Sequence, residues 1–132
     1  MTAHIETNPY IVISGRLTVP RDNPIIKRIL RVTNAPGLSK GFAKDNIIIF
    51  RGNLHIKIQY FNSDEEQAKT YFYTFNVPYT HFINCPNLDE NVRIILKVVS
   101  EFQEFSIINE RVLNAYVILR IDKAEEYKQI EE

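Results

Sequence analysis

The sequence predicts an all-β fold, an antiparallel β-sandwich in a single domain. Apolar and polar residues alternate with period two along several runs of the 132-residue chain, a spacing typical of strands with one buried face. Clusters of Asn, Asp, Pro and Gly separate these runs, and no run shows a long helical pattern. Short strands punctuated by turns in this way indicate a sandwich or a barrel.

The first predicted strand covers residues 10–19. Four of its apolar residues share one face, namely Ile11, Ile13, Leu17 and Val19. Gly15 lies in the middle of this run, where glycine usually marks a bulge or the close approach of another backbone. We therefore predict an irregularity at Gly15.

The segment 25–33 fits either a short helix or a strand. Its apolar residues follow a helical period, and Pro24 suits the first turn of a helix. The β-branched residues of the segment and the β-rich surroundings favour the strand.

The longest alternating run, Ile47–Phe61, is followed by a polar turn at 62–66 and by a second alternating run, Thr70–Val77. Two such runs joined by a short polar loop predict a β-hairpin. Residues 37–41, which precede the hairpin, contain glycine and lysine without the spacing of a phosphate-binding loop. They indicate a flexible connection.

Two further strands are predicted at Val92–Phe102 and Arg111–Ile121. The segment 122–132 is highly charged and has apolar residues three apart, which fits either a short helix or a frayed tail. The predicted organisation is an N-terminal arm (1–9), a β domain (10–121) and this charged tail.

The formal net charge is zero, from 16 basic and 16 acidic residues. This balance argues against a general nucleic-acid binder, whose affinity comes from a net basic face. The charge is nevertheless uneven, with a formal +6 over residues 1–60 and −6 over residues 61–132. Opposite charge on two faces would favour head-to-tail contact between copies, whereas pairing of distant strands would mix the two halves and cancel the asymmetry.

Cys85 is the single cysteine, which excludes an internal disulfide and a cysteine zinc site. It is either an inert, half-buried thiol or, in an oxidising environment, a crosslink between molecules. The N-terminus lacks the basic and apolar regions of a signal peptide, and no apolar run approaches the ~20 residues that span a membrane. We therefore expect synthesis in the cytoplasm without membrane insertion.

Residue patterns that support catalysis are scarce. The three histidines, His4, His55 and His81, have no second His or Cys at metal-ligand spacing. Ser14-Gly15 lacks the frame of a nucleophile elbow, and adjacent carboxylates fall in turns and in the tail, where they are normally solvated. The sequence therefore predicts a protein that is not an enzyme, with no catalytic residue, no metal and no cofactor.

Aromatic residues crowd into residues 60–79. Because side chains alternate along a strand, Phe72 should point away from Tyr71 and Tyr73, which leaves one aromatic face exposed unless both faces are covered. Such a face is typical of a protein contact surface, and it also suits the alternative function, a carbohydrate-binding module. The predicted partner interface consists of Ile5, Tyr10, Phe61, Tyr71, Phe72, Tyr73 and Tyr79.

Strand patterns in a fixed order extend over residues 10–121, without any signature chemistry. They are Ile11–Leu17, Val19-Pro20, Pro24–Leu30, Ile47–Leu54, Ile58–Tyr60, Tyr73–Tyr79 and Arg111–Val117. This order resembles the SPOCS-domain family, found in spore-coat and spore-morphogenesis proteins of endospore-forming Firmicutes.

The resemblance implies a non-catalytic structural or interaction protein of the spore envelope. Some members of the family add a C-terminal LysM module that docks on a coat-basement ATPase; these 132 residues contain no such module, so the resemblance implies a structural subunit. The expected partners are further copies of the chain, as a homo-oligomer or fibre, and other spore-coat proteins. We expect synthesis in the mother cell and deposition on the spore surface.

Overall fold

The computed structural model describes residues 10–84 and 93–127, and this part of the chain consists of strands and loops without a helix. The all-β prediction is confirmed. The segment 25–33, which fits either a short helix or a strand, contributes to a strand. The seven strands are β1 Tyr10–Thr18, β2 Arg28–Ala35, β3 Leu38–Lys44, β4 Ile47–Phe61, β5 Thr70–Asn84, β6 Arg93–Ile107 and β7 Val112–Tyr127.

All seven strands belong to one antiparallel sheet, in the order β1-β7-β6-β3-β4-β2, with β5 paired to β4. The central strand is β4, and β5 covers one of its edges along its whole length. The other edge is shared, because β3 pairs with residues 47–51 and β2 with residues 55–61. The chain passes from β2 to β3 at Pro36-Gly37, where Gly37 has a φ of +66° that glycine adopts without strain.

The predicted hairpin is confirmed as β4 and β5. A second, tighter hairpin joins β3 to β4 through Asp45 (φ 53°) and Asn46 (φ 63°), the two positive φ values that a two-residue hairpin turn requires. The flexible connection predicted at 37–41 is wrong, because most of this segment lies in β3. Backbone pairing to β4 on one side and β6 on the other holds it in place.

Gly15 does not interrupt β1. The register runs evenly from the Tyr10–Arg120 pair to the Thr18–Val112 pair, and a Cβ placed on Gly15 would meet nothing within 4 Å. The predicted irregularity is therefore wrong.

Strand β7 extends beyond the predicted end of the β domain at residue 121. It pairs with β6 as far as Arg93 and Tyr127, so residues 122–127 are a strand and the helical interpretation of this part of the tail is wrong. The predicted arm (1–9) and the last part of the tail (128–132) lie outside the described residues.

One face of the sheet forms the core. Buried residues alternate along β4, where Ile48, Leu54 and Ile58 are each 0% exposed, and they join buried residues of β1, β5, β6 and β7 in one cluster. Since the described part of the chain consists of strands and loops, the sheet must curve over its own inner face to bury these residues, as the two layers of a sandwich do.

The loop between β1 and β2 covers one end of this core. Val19 and Ile26 of the loop are 0% and 1% exposed. The hydroxyl of Tyr60, a buried core residue, donates a 2.7 Å hydrogen bond to the carbonyl oxygen of Pro24. Burial raises the pKa of Tyr60, so the phenol keeps its donated proton at neutral pH.

Arg111, at the turn between β6 and β7, organises the same loop. Its guanidinium donates to the carbonyl oxygens of Pro20 at 2.7 Å, Asn23 at 2.9 Å and Arg21 at 3.3 Å. The guanidinium thus adds charge-assisted donors to three carbonyl groups of the loop, one of which, that of Pro20, also accepts from the Asn23 backbone N–H at 3.0 Å.

Side chains, and not a backbone ladder, connect β2 to the second half of β6. The Asn34 amide donates to Gln103 Oε1 at 2.6 Å, and Gln103 Nε2 donates to the carbonyl oxygen of Val32 at 3.1 Å. This polar bridge spans the place where the pairing of β6 with β3 ends.

Candidate interaction surface

The structure divides the predicted aromatic cluster between the two faces of β5. Tyr71 and Tyr73 lie half-buried on the inner face, and Tyr79 is only 9% exposed. Phe72 points to the outer face and is 56% exposed. The predicted alternation is confirmed, and Tyr79 belongs to the core and not to an exposed surface.

Tyr79 and Ser39 form a buried hydrogen bond between β5 and β3. Their hydroxyl oxygens lie 2.6 Å apart, and either one can donate. The pKa of Tyr79 is raised, because the effect of burial is larger than the opposite effect of the hydrogen bond to Ser39. Gly52 lies against this pair, because a Cβ at this position would be 2.5 Å from Ser39 Oγ and in direct conflict with the Tyr79 hydroxyl.

Two aromatic rings on the outer face lie against basic side chains. The guanidinium carbon of Arg28 lies 4.5 Å from the centroid of Phe61, and Lys57 Nζ lies 4.7 Å from the centroid of Phe72, both within the range of a cation–π contact. With the other rings of the cluster turned inward, this arrangement gives no support to the carbohydrate-binding alternative, which needs a broad aromatic platform.

The remaining residues of the predicted interface lie apart from this cluster. Tyr10 is 44% exposed on the outer face of β1, a strand whose backbone partner is β7. Ile5 and the proposed crosslink Cys85 lie outside the described residues.

An exposed apolar row crosses β1, β7 and β6. Val12 pairs with Ile118, and Ile118 pairs with Phe102, so the three side chains lie side by side on the outer face. Val12 is 55% exposed and Phe102 48%. Tyr116 packs edge-on against Phe102, with 6.3 Å between the ring centroids. We call Val12, Ile118, Phe102 and Tyr116 the apolar row.

A charged group borders the apolar row. Arg120 follows Ile118 on the outer face of β7 and forms ion pairs with Glu101 and, at 3.2 Å, with Asp122. The hydrogen bonds that the Arg120 guanidinium donates to these carboxylates raise its pKa. An apolar centre with a charged border is the arrangement found at protein–protein interfaces.

The strand pattern alone does not identify the apolar row. Val12, Tyr116 and Ile118 stand on faces that the alternation assigns to solvent, and an apolar residue on such a face is a signal that could have identified each of them. Phe102 is in phase with the buried Leu96 and Val98, and it reaches the outer face only through the register shift between Ser100 and Phe102. Only the register places the four residues next to one another.

The described histidines lie apart from each other. His55 is exposed and hydrogen-bonded to Asn76, whereas His81 packs edge-on against Phe50 on the inner face with 5.3 Å between the rings. Burial lowers the pKa of His81. Within residues 10–84 and 93–127, no group of three His, Cys, Asp or Glu side chains could hold a metal ion, and no helix is long and apolar enough to cross a membrane.

Residues 25–108 match the family described as the SipL SPOCS domain. The chain belongs to the SPOCS-domain family. The match begins just before β2 and ends just after β6, so β1 and β7 complete the sheet outside the matched range. Membership of the SPOCS-domain family indicates a sporulation-related protein. No curated protein and no solved structure matches the chain significantly.

Proposed function

We propose that this SPOCS-domain protein is a non-catalytic structural protein of the spore envelope, which assembles with copies of itself or docks on other coat proteins. The apolar row is the observation that carries the proposal. It places aliphatic and aromatic side chains together on the outer face of a sheet whose inner face already forms the core. Proteins commonly bury such patches against a partner.

The energy available from the apolar row favours an assembled layer over an isolated pair. Full burial of a large apolar side chain contributes about 1.5–3 kcal/mol. Val12, Phe102 and Tyr116 are roughly half exposed, so burying the remainder of each contributes about 1 kcal/mol. One copy thus contributes about 3 kcal/mol and two facing rows about 6 kcal/mol, which offsets only the lower part of an association cost of about 4–15 kcal/mol. Many contacts acting together in a coat layer would overcome this cost.

Membership of the family supplies the cellular context of the proposal. A sporulation-related structural protein would be made in the mother cell and deposited on the forming spore. No catalytic residue and no cofactor takes part in the proposed function.

Imaging of the tagged full chain in a sporulating endospore-former tests the proposal. Wild-type chain should surround the forespore, whereas Val12→Thr/Phe102→Thr should stay diffuse in the mother cell. Threonine keeps the strand propensity of both positions, and circular dichroism would verify the fold. Leu30→Thr is a control at a single site, because Leu30 is 54% exposed on β2, whose backbone pairs with β4 and with no strand of the apolar row.

Two outcomes would contradict the proposal. A diffuse distribution of the wild-type protein in the cell would contradict a function in the spore envelope. Deposition of the double variant at the wild-type level would show that the apolar row is not the contact.

A further inference from the structure

Strands β2–β5 contain six basic residues and no acidic one. All six are exposed, namely Arg28, Arg31, Lys40, Lys44, Arg51 and Lys57. Because the whole chain has a formal net charge of zero, the rest of the chain carries a formal excess of six negative charges. Since β4 pairs with both β2 and β3, the fold keeps these basic residues together, although strands of the two sequence halves pair elsewhere in the sheet, β1 with β7 and β3 with β6.

Five basic or titratable side chains lie along β4 on the outer face of the sheet. Arg51, His55 and Lys57 belong to β4 itself, Lys40 pairs directly with Arg51, and Arg31 pairs with Gln59. We call Arg31, Lys40, Arg51, His55 and Lys57 the basic stripe.

The contact between Lys40 and Arg51 has an energetic cost within the monomer. Like charges directly opposite each other on neighbouring strands are destabilising. Within the described residues, no carboxylate forms an ion pair with either side chain. An anionic group bound from outside would remove this repulsion.

Two clefts give the basic stripe a concave shape. The first, of about 390 Å³, lies where β2 ends and β3 begins, and it is lined by Pro36, Gly37, Lys40, Arg51, Gly52, Asn53 and His55. The second, of about 120 Å³, follows along β4 and is lined by Arg31, Thr33, Lys57, Gln59 and Phe72. His55 lines the first cleft and Lys57 the second, so the two clefts follow one another along the outer face of β4.

The spacing and the overall charge favour a short acidic polypeptide as the occupant. Outward side chains of β4 repeat every ~6.8 Å, which is also the repeat of alternate side chains in an extended peptide. A long polyanion would be repelled by the excess negative charge of the rest of the chain, whereas a short acidic segment touches the basic stripe alone.

We propose that the basic stripe binds an acidic segment of a second copy of this chain. This inference rests on the proposed function, because it names the partner and a second contact for the assembly. The described chain offers a suitable segment in the exposed β4–β5 turn, where Asp64, Glu65 and Glu66 are consecutive and form no ion pair with described residues. Since donor and acceptor surfaces differ, each copy can bind the next, and the contact propagates head to tail.

Sedimentation of the purified full chain tests this inference. At ~0.02 M salt the wild-type chain should associate, and at ~0.5 M salt the association constant should fall at least about tenfold because salt screens the charges. Arg51→Glu/Lys57→Glu should cause a similar loss at low salt. Arg16→Glu/Arg21→Glu is the matched control, since it changes the net charge equally with exposed residues outside both the basic stripe and the β4–β5 turn, and it should associate within about twofold of the wild type.

A mixing experiment identifies the donor. Asp64→Asn/Glu65→Gln/Glu66→Gln alone should lose self-association, and its neutral turn gains no attraction to a stripe that carries glutamates. An equal mixture of this variant with Arg51→Glu/Lys57→Glu retains one intact basic stripe and one intact acidic turn. It should therefore form pairs that contain one molecule of each variant, and no assembly larger than a pair.

The outcomes separate this inference from the proposed function. A monomer at both salt concentrations, or association that neither salt nor Arg51→Glu/Lys57→Glu weakens, would overturn it. So would binding of a synthetic polynucleotide through the basic stripe in preference to poly-L-glutamate. In each case, deposition on the spore through the apolar row would remain as a separate result.

Discussion

Replacing Gly52 with alanine should destabilise the protein, whereas the same replacement at Gly15 should not. A Cβ at Gly52 would conflict with the buried hydroxyls of Tyr79 and Ser39, lying 2.5 Å from the latter. A Cβ at Gly15 would meet nothing within 4 Å. Both glycines lie in strands, so the pair isolates the effect of packing from the effect of backbone entropy.

Three contributions determine the expected change at Gly52. Overpacking costs about 1–3 kcal/mol. Separating the Ser39–Tyr79 bond leaves buried hydroxyls without partners, at about 1–3 kcal/mol. Replacing glycine in a strand returns about 0.5–1 kcal/mol. At the midpoints of these ranges the free energy of unfolding should fall by about 3 kcal/mol, which for a chain of this length lowers the melting temperature by ~12 °C. Gly15→Ala should raise the stability by about 0.5–1 kcal/mol.

Urea denaturation followed by far-ultraviolet circular dichroism and tyrosine fluorescence measures both changes. Adding Tyr79→Phe to Gly52→Ala removes the hydroxyl that the new methyl group meets. The double variant should thus be at least about 1 kcal/mol more stable than the sum of the single changes predicts. Equal unfolding midpoints for Gly52→Ala and Gly15→Ala, or strict additivity in the double variant, would refute the assigned packing.

Four further predictions follow from single contacts. Arg111→Ala should lower the free energy of unfolding by about 2 kcal/mol in urea denaturation, because loop carbonyls lose their donor, and Arg111→Lys should recover less than half of this loss since an ammonium group lacks the guanidinium fork. Because burial lowers the folded pKa of His81 below its usual 6.5, the unfolded state binds more protons and stability should decrease as the pH falls below that value. His81→Gln should reduce this decrease in a pH series of melting curves. Ser39→Ala/Tyr79→Phe should be nearly neutral, whereas Tyr79→Phe alone should cost about 1–2 kcal/mol by the same denaturation assay. Gln103→Ala should accelerate amide hydrogen exchange in β2, whose link to β6 it removes; unchanged exchange would show that the bridge does not protect this strand.

Strand alternation was informative where one face of a strand is buried without interruption. It identified β4 and the first half of β5, whose inward residues line the core. It failed for β3, whose sequence contains two lysines and a glycine. A Cβ at Gly41 would lie 2.8 Å from the Phe50 Cβ, so this strand depends on a close approach to β4 and on pairing along both edges. Such pairing is tertiary and leaves no local pattern.

The interaction surfaces depend even more on register. The uneven charge of the chain was visible in the sequence, but only the arrangement of strands around β4 decides between separation and mixing of the two halves. The apolar row joins Val12, Ile118 and Phe102 from three strands, and a one-residue shift in either pairing would disperse it. Tyr79 shows the opposite case, because an aromatic residue that the pattern suggested for the interface fills the core.

The position of β1 has a consequence for the timing of assembly. Strands β3, β4 and β5 are neighbours in the sequence and form local hairpins, which require little loop closure. Strand β1 instead pairs with β7, which lies almost a whole chain length away in the sequence, with Tyr10 opposite Arg120. Contacts between residues so far apart in the sequence form slowly. Val12 therefore joins Ile118 and Phe102 only when the sheet is complete. A newly made chain should not carry the finished apolar row until it has folded, which delays any association through this surface.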